Sequence, residues 1–142
     1  MDVHDKQTRS YNMSRIKGKK TRPEELVAKY LFAHGFRYRR NVKKLPGTPD
    51  IVLKKYNTVI FVNGCFWHMH GCKYFVWPKD NAEFWREKLL ANKARDEREY
   101  AELRALGWNI VIIWECQLRH GNAENTLENL VVSLTFHRQN TV

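Results

Sequence analysis

Four side chains in this 142-residue sequence carry the ligand chemistry of a borderline-soft divalent metal: Cys65, His70, Cys72 and Cys116. Thiolates and imidazole are donors that zinc takes readily, and four of them close a tetrahedron with no position left for water. Cys65 and Cys72 frame one short loop that contains His70, whereas Cys116 arrives much later, after an apolar run. The set uses every cysteine in the chain. The spacing is not a CxxC pair, so three ordinary buried cysteines are an equal reading of it. If the four do bind zinc, the metal folds the loop and catalysis lies elsewhere.

A second chemistry is available to hard oxygen donors. Asp50 follows Pro46-Gly47-Thr48-Pro49 at the start of a strand-like run. A carboxylate held at a sheet edge there suits Mg²⁺, which also takes phosphate oxygens; plain turn chemistry explains the same residue. His68 stands between Trp67 and Met69, and a neutral imidazole can take a proton from water attacking phosphorus. A lone histidine is more often a surface or hydrogen-bonded residue. Trp85, Leu89, Asn92, Asp96, Tyr100 and Leu103 fall on one stripe at three- and four-residue steps. That stripe reads mostly as core, with Asn92 and Asp96 either lining a site or lying at its solvent edge. Phe66, Trp67, Phe75, Trp77, Phe84 and Trp85 crowd into twenty residues. Large rings can wedge between base pairs, most cheaply where a duplex is already weak. For Phe75 and Phe84 a core role is the expectation.

These groups need elements to hold them. Thr21-Arg22-Pro23-Glu24 predicts a capping box, followed by Leu26, Val27, Tyr30 and Leu31 at helical spacing and Gly35 as a stop. Phe36–Asn41 is strand-like. Leu45–Pro49 is a rigid turn. Asp50–Leu53 and Thr58–Val62 predict a hairpin joined by the polar Lys54–Asn57. Asp80 or Asn81 is expected to cap a long helix to about Leu106, closed by Gly107. Trp108–Trp114 predicts the strongest strand, and Asn122 a cap for a last helix through Leu127, Leu130, Val131 and Leu134. The order implies a single α/β domain with a small mixed sheet flanked by helices.

Length agrees with one core, and an apolar fraction of 43% with 28% charged residues fits an ordinary globule. The longest apolar run is Ile110–Trp114, and nothing before Lys6 resembles a signal h-region, so membrane and secreted classes are not expected. Three cysteines cannot pair completely, which favours a reducing compartment. Charge is lopsided. Residues 1–55 hold fifteen basic and five acidic side chains, whereas 56–142 hold ten of each, so the whole +10 surplus lies early in the chain. A one-sided basic field attracts polyanions, which makes nucleic acid the leading partner; a soluble protein of high pI is the alternative.

Leu45-Pro46-Gly47-Thr48-Pro49-Asp50, Asn63-Gly64-Cys65-Phe66-Trp67-His68-Met69-His70-Gly71-Cys72, Phe84-Trp85-Arg86-Glu87-Lys88 and Trp114-Glu115-Cys116 together resemble one family. It is the bacterial very short patch repair (Vsr) endonucleases, nickases of T:G mismatches. Asp2-Val3-His4-Asp5-Lys6 and Thr8-Arg9-Ser10 match it too, and the similarity runs to about Leu118. The resemblance implies a restriction-endonuclease-like fold, with a basic DNA-contacting arm over 1–20 and the nuclease domain over 21–142. It implies Mg²⁺-dependent cutting of one strand 5′ to the mismatched T. Asp50 becomes the metal carboxylate, the main-chain carbonyl of Val62 a second ligand, and His68 the base or water-orienting group. Asp96, Asn92 and Glu24 fall near that site. Cys65, His70, Cys72 and Cys116 correspond to a structural zinc. Phe66, Trp67 and Trp85 correspond to an intercalating wedge, with Met13, Ile16 and Lys88 near the mispair.

Two departures stand out. Asn63 occupies a position where members of the family carry a histidine beside the scissile phosphate; asparagine hydrogen-bonds but does not titrate. The lysine of an ordinary restriction-enzyme site is missing, in keeping with this family. The implied partner is double-stranded DNA with a T:G mismatch, with mismatch-repair proteins as candidate partners. A monomer in the bacterial cytoplasm, associated with the nucleoid, is expected. The alternatives are a site-specific nickase or restriction endonuclease of the same fold acting on paired DNA, and a non-catalytic zinc-stabilised DNA-binding module.

Overall fold

Proline opens the first helix, at the one place where its missing N–H costs nothing. The computed structural model describes residues 22–140 apart from 68, 73, 74 and 120, without the side chains of 137–140. Helix α1 spans Pro23–Ala33, with Arg22 in extended backbone at its N-cap and no side chain capping it. It therefore begins later than a box centred on Thr21 requires, and Thr21 itself lies outside the described residues. Gly35 takes φ +88°, the left-handed conformation expected of a stop.

Strand β1 is only Arg39–Arg40, shorter than the alternating run suggested. Strand β2 is Ile51–Leu53 and β3 is Thr58–Asn63. They form the expected antiparallel hairpin, with Ile51 opposite Ile60, through a 3₁₀ turn at Lys54–Tyr56 and a left-handed Asn57. Helix α2 spans Ala82–Ala105. Asn81 sits at its N-cap but with φ +54° and no side-chain cap, so it turns the chain without satisfying an amide. Strand β4, Asn109–Trp114, returns parallel to β3, and helix α3 covers Ala123–Asn140. The sheet order is β1-β2-β3-β4, antiparallel except for the last pair.

Side chains alternate across a strand, and here both faces are covered. Ile51, Leu53, Ile60 and Ile113 meet Val27 and Leu31 of α1 and Leu127, Leu130 and Leu134 of α3. Val52, Val59 and Phe61 face the other way, onto Leu103 of α2. Two-sided burial explains why these strands read as continuous apolar runs instead of alternating ones. It also determines which residues can reach a site. Asp50 shares the parity of Val52, and Asn63 that of Phe61, so both belong to the α2 face. No described helix is long and apolar enough to cross a membrane.

Candidate active site and metal centre

The parallel register of β3 and β4 assembles the thiol cluster. Asn63 pairs with Trp114 at the ends of the two strands, and Cys65 and Cys116 each follow by two residues. The loop after β3 folds back on itself: the His70 N–H donates to the Cys65 carbonyl at 3.0 Å, and the Cys72 N–H to that of His70 at 2.8 Å. The donor atoms of Cys65, His70, Cys72 and Cys116 all lie within 4.8 Å of one another. Cys116 Sγ stands 3.5 Å from His70 Nδ1. Tetrahedral zinc bound at ordinary Zn–S and Zn–N lengths spaces a sulfur and a nitrogen by about 3.6 Å. The His70 ring is clamped flat on Trp114, with centroids 4.0 Å apart and planes 4° from parallel. Burial, chiefly, pushes the Cys65 thiol up to about 12 and raises that of Cys116. These two thiols therefore favour the protonated form unless a cation compensates their ionisation. The cluster is one that could hold a metal ion, and its donor set fits zinc.

On the α2 face lies a cleft of about 360 Å³ lined by Gly47, Thr48, Asp50, Phe61, Val62, Asn63, Arg95, Asp96 and Glu99. The turn before β2 supplies Asp50, whose Oδ2 accepts the Val62 N–H at 2.7 Å. The bond extends the hairpin by one side-chain rung beyond the last backbone pair. Gly47 has φ +76°, and a β-carbon there would stand 3.1 Å from the Phe61 ring, so glycine lets the turn close onto the sheet without crowding that ring. Arg95 lies 3.9 Å from Asp96 and 3.7 Å from Glu99, balancing part of the acidic lining. Oxygen donors of this kind are the chemistry Mg²⁺ requires.

Asn63 is almost completely buried, at 5% exposure. Its Nδ2 donates to the Tyr100 hydroxyl at 2.9 Å. The Tyr100 ring meets Phe61 edge-on, with centroids 5.1 Å apart. Burial, then the carboxylates of Asp96, Glu99 and Asp50, raise the Tyr100 hydroxyl's pKa against the opposing effect of the Asn63 bond. A second cleft of about 320 Å³, lined by Met69, His70, Gly71, Lys93, Asp96, Glu97, Tyr100 and Trp114, adjoins the metal loop. Asp96 lines both.

The structure thus brings Asp50, Val62, Asn63 and Asp96 together. Asn92 lies half-buried one turn earlier on α2 and lines neither cleft. Glu24 lies at the start of α1, 3.9 Å from Arg22, and is likewise outside both linings. His68, Met13 and Ile16 lie outside the described residues. Tyr100, Arg95, Glu99 and Gly47 were not singled out for the site from sequence. The available signal for Tyr100 was its place one helical turn after Asp96 on the same stripe.

The aromatic residues form one cluster beside the metal loop. Phe66 meets Trp67 and Trp85 edge-on at 5.2 and 5.5 Å, and Trp67 lies 5.6 Å from Trp85. Lys88 Nζ stands 5.9 Å from the rings of both Trp67 and Phe84. Phe75 is half-buried against Phe66 and Trp77. Phe84 departs from its expected core role: it is 58% exposed in the first turn of α2, with its ring edge-on to Trp85 and beneath Lys88. Trp67, at 47%, is exposed as well.

Known proteins resemble this sequence. The family model for the DNA mismatch endonuclease Vsr matches residues 1–74. The chain is 47% identical over 118 residues to the DNA mismatch endonuclease Vsr of Escherichia coli (strain K12), covering 83% of this chain and 76% of that one. It is 46% identical over 119 residues to the type II nicking enzyme V.NmeAIP of Neisseria meningitidis serogroup A, covering 84% and 85%. The type II nicking enzyme V.XorIIP of Xanthomonas oryzae pv. oryzae is 44% identical over 124 residues, covering 87% and 91%. The mixed sheet between helices is the restriction-endonuclease-like architecture of that family. A match over more than half of its residues, with identities of this size over most of its length, means that the chain belongs to the Vsr family of DNA mismatch endonucleases.

Proposed function

We propose that this endonuclease nicks one strand of double-stranded DNA 5′ to the T of a T:G mismatch, in a Mg²⁺-dependent hydrolysis that initiates very short patch repair. One observation carries the reading: Asp50, Asn63 and Asp96 line a single cleft on the α2 face. Asp50 and the Val62 carbonyl would hold the ion. Bound there, Mg²⁺ supplies polarisation of the scissile phosphate and stabilisation of the leaving oxygen. The Val62 N–H, donating to Asp50 Oδ2 at 2.7 Å, holds that carboxylate at the cleft. His68 takes the proton of the attacking water, in a role supported by its place between Trp67 and Met69 and by the family resemblance. Phe66, Trp67 and Trp85 test local stacking, and exposed Trp67 with Lys88 beside it gives that wedge a cationic flank. Zinc on Cys65, His70, Cys72 and Cys116 holds the loop between wedge and cleft.

The enzyme acts as a monomer on chromosomal DNA in the bacterial cytoplasm, where mismatch-repair proteins are its candidate partners. A second reading, a site-specific nickase of paired DNA, is favoured by the relatives named type II nicking enzymes. Nicking of T:G, T:A and C:G duplexes of one sequence, with and without Mg²⁺, separates the two. The proposal expects product only from T:G with Mg²⁺. Equal cutting of the paired duplexes supports the second reading, and Mg²⁺-independent or absent cutting overturns the site.

A further inference from the structure

Asp50, Asp96 and Glu99 bring three carboxylates to the wall of the α2-face cleft, and Arg95 is the one cation among the described residues that line it. A phosphate entering this cleft is repelled by every charged side chain there except Arg95. How Arg95 is held decides what it can do for such a ligand. Its guanidinium stands 3.9 Å from an Asp96 oxygen and 3.7 Å from a Glu99 oxygen, beyond hydrogen-bond distance of both. The side chain is 51% exposed. Arg40 shows the contrast: it bonds Glu25 at 2.7 Å and is 28% exposed, the arrangement of an arginine committed to the fold. Ion pairs as open and solvated as those of Arg95 are weak, so turning away from them costs little. A phosphate matches the guanidinium fork far better, with two parallel charge-assisted hydrogen bonds.

We propose that Arg95 is a substrate-contacting residue of this nuclease: on DNA binding its guanidinium leaves Asp96 and Glu99 and donates to a non-bridging oxygen of the scissile phosphate. The inference rests on the nuclease reading above and adds the side chain that receives the substrate's charge. A guanidinium placed there stabilises charge on the phosphoryl oxygens as attack proceeds. Arg95→Gln keeps a long polar side chain and deletes the charge. At a half-exposed position it leaves the fold intact.

The test is single-turnover nicking of a T:G duplex by the full chain, titrated with Mg²⁺. At saturating Mg²⁺, Arg95→Gln should cut about ten- to a hundredfold more slowly, the size of a hydrogen bond to a charged group. A role as counterion alone predicts something else. Without Arg95 the carboxylates would hold Mg²⁺ more tightly, so less metal half-saturates the rate and the plateau stays unchanged. A second arm places a phosphorothioate at the scissile position, as each of its two diastereomers, because sulfur accepts hydrogen bonds weakly. In at least one diastereomer the penalty of Arg95→Gln should shrink to within about threefold, since the contact is already lost. The inference is overturned by an unchanged plateau rate, or by a penalty that stays full in both diastereomers. Asp50→Ala in parallel keeps the two failures apart. Full cutting by Asp50→Ala overturns the site reading itself, whereas an inactive Asp50→Ala beside a fully active Arg95→Gln overturns only the role of Arg95.

Discussion

Substituting Asp50 by asparagine and by alanine should remove the same rate but different amounts of stability. Either change deletes the charged oxygen that would hold Mg²⁺. Metal stabilisation of a phosphoryl transition state amounts to several kcal/mol, so both variants should nick a T:G duplex at least about 10³-fold more slowly. Both also relieve the same carboxylate crowding from Asp96 and Glu99, so that effect cancels between them. The Val62 N–H does not cancel. It is held at 2.7 Å by Asp50 Oδ2, and asparagine still offers an oxygen there. Alanine leaves the half-buried donor without its acceptor, at a cost of about 1–3 kcal/mol. For a domain of this size that corresponds to melting roughly 3–10 °C below the asparagine variant. Nicking at saturating Mg²⁺, gel-shift binding without Mg²⁺ and thermal melting followed by circular dichroism read the three quantities separately. Cutting within about tenfold of the unsubstituted chain by either variant would refute the metal carboxylate. Coincident melting curves would refute the side-chain rung.

The purified chain should carry about one zinc by elemental analysis and lose it on Cys72→Ala, with chelation lowering the melting temperature; a metal-free preparation with full stability contradicts the assignment. Gly47→Ala should cost about 1–2 kcal/mol through its positive φ and the 3.1 Å approach to Phe61, and should slow nicking more than it weakens DNA binding. An unchanged melt together with an unchanged rate would show that the turn does not depend on glycine. The Arg40 guanidinium, bonded at 2.7 Å, holds the Glu25 carboxyl below its ordinary 4.5. A depressed folded pKa means that the pair's stabilisation is present above that value and disappears as pH falls through the folded one. The Glu25 side chain is 42% exposed, so Glu25→Gln should cost at most about 1 kcal/mol at pH 7 and progressively less as the pH falls below 4.5. A penalty independent of pH in the melting curves would rule out the ion pair as its source.

Helix α2, the β2–β3 hairpin, strand β4 and the glycine stops at 35 and 107 were legible locally, since periodicity and left-handed turns leave marks within a few residues. Element ends were less so. The Thr21 box and the Asn81 cap are patterns that the backbone passed over, because proline already defines the start of α1 and Asn81 spends its conformation on a sharp turn. Among site residues, the four zinc-type donors and the Asp50 carboxylate were recognisable by chemistry and by the strings around them. Which of Asn92 and Asp96 belongs to the cleft was not, because both share the stripe and only the position of α2 over the sheet separates them. The exposure of Phe84 was hidden for a related reason: composition does not say which face of a helix's first turn meets the sheet.

By itself, then, the order of residues determines a basic, single-core α/β chain, its ligand types and the order of its elements, all of which depend on neighbours in sequence. Two features belong to the tertiary structure. Parallel pairing in which Asn63 meets Trp114 puts Cys65 beside Cys116, and the parity of β2 and β3 turns Asp50 and Asn63 toward Asp96 and Tyr100. Both depend on register between segments far apart in the chain. A shift of one residue in that register would point every one of these side chains to the opposite face.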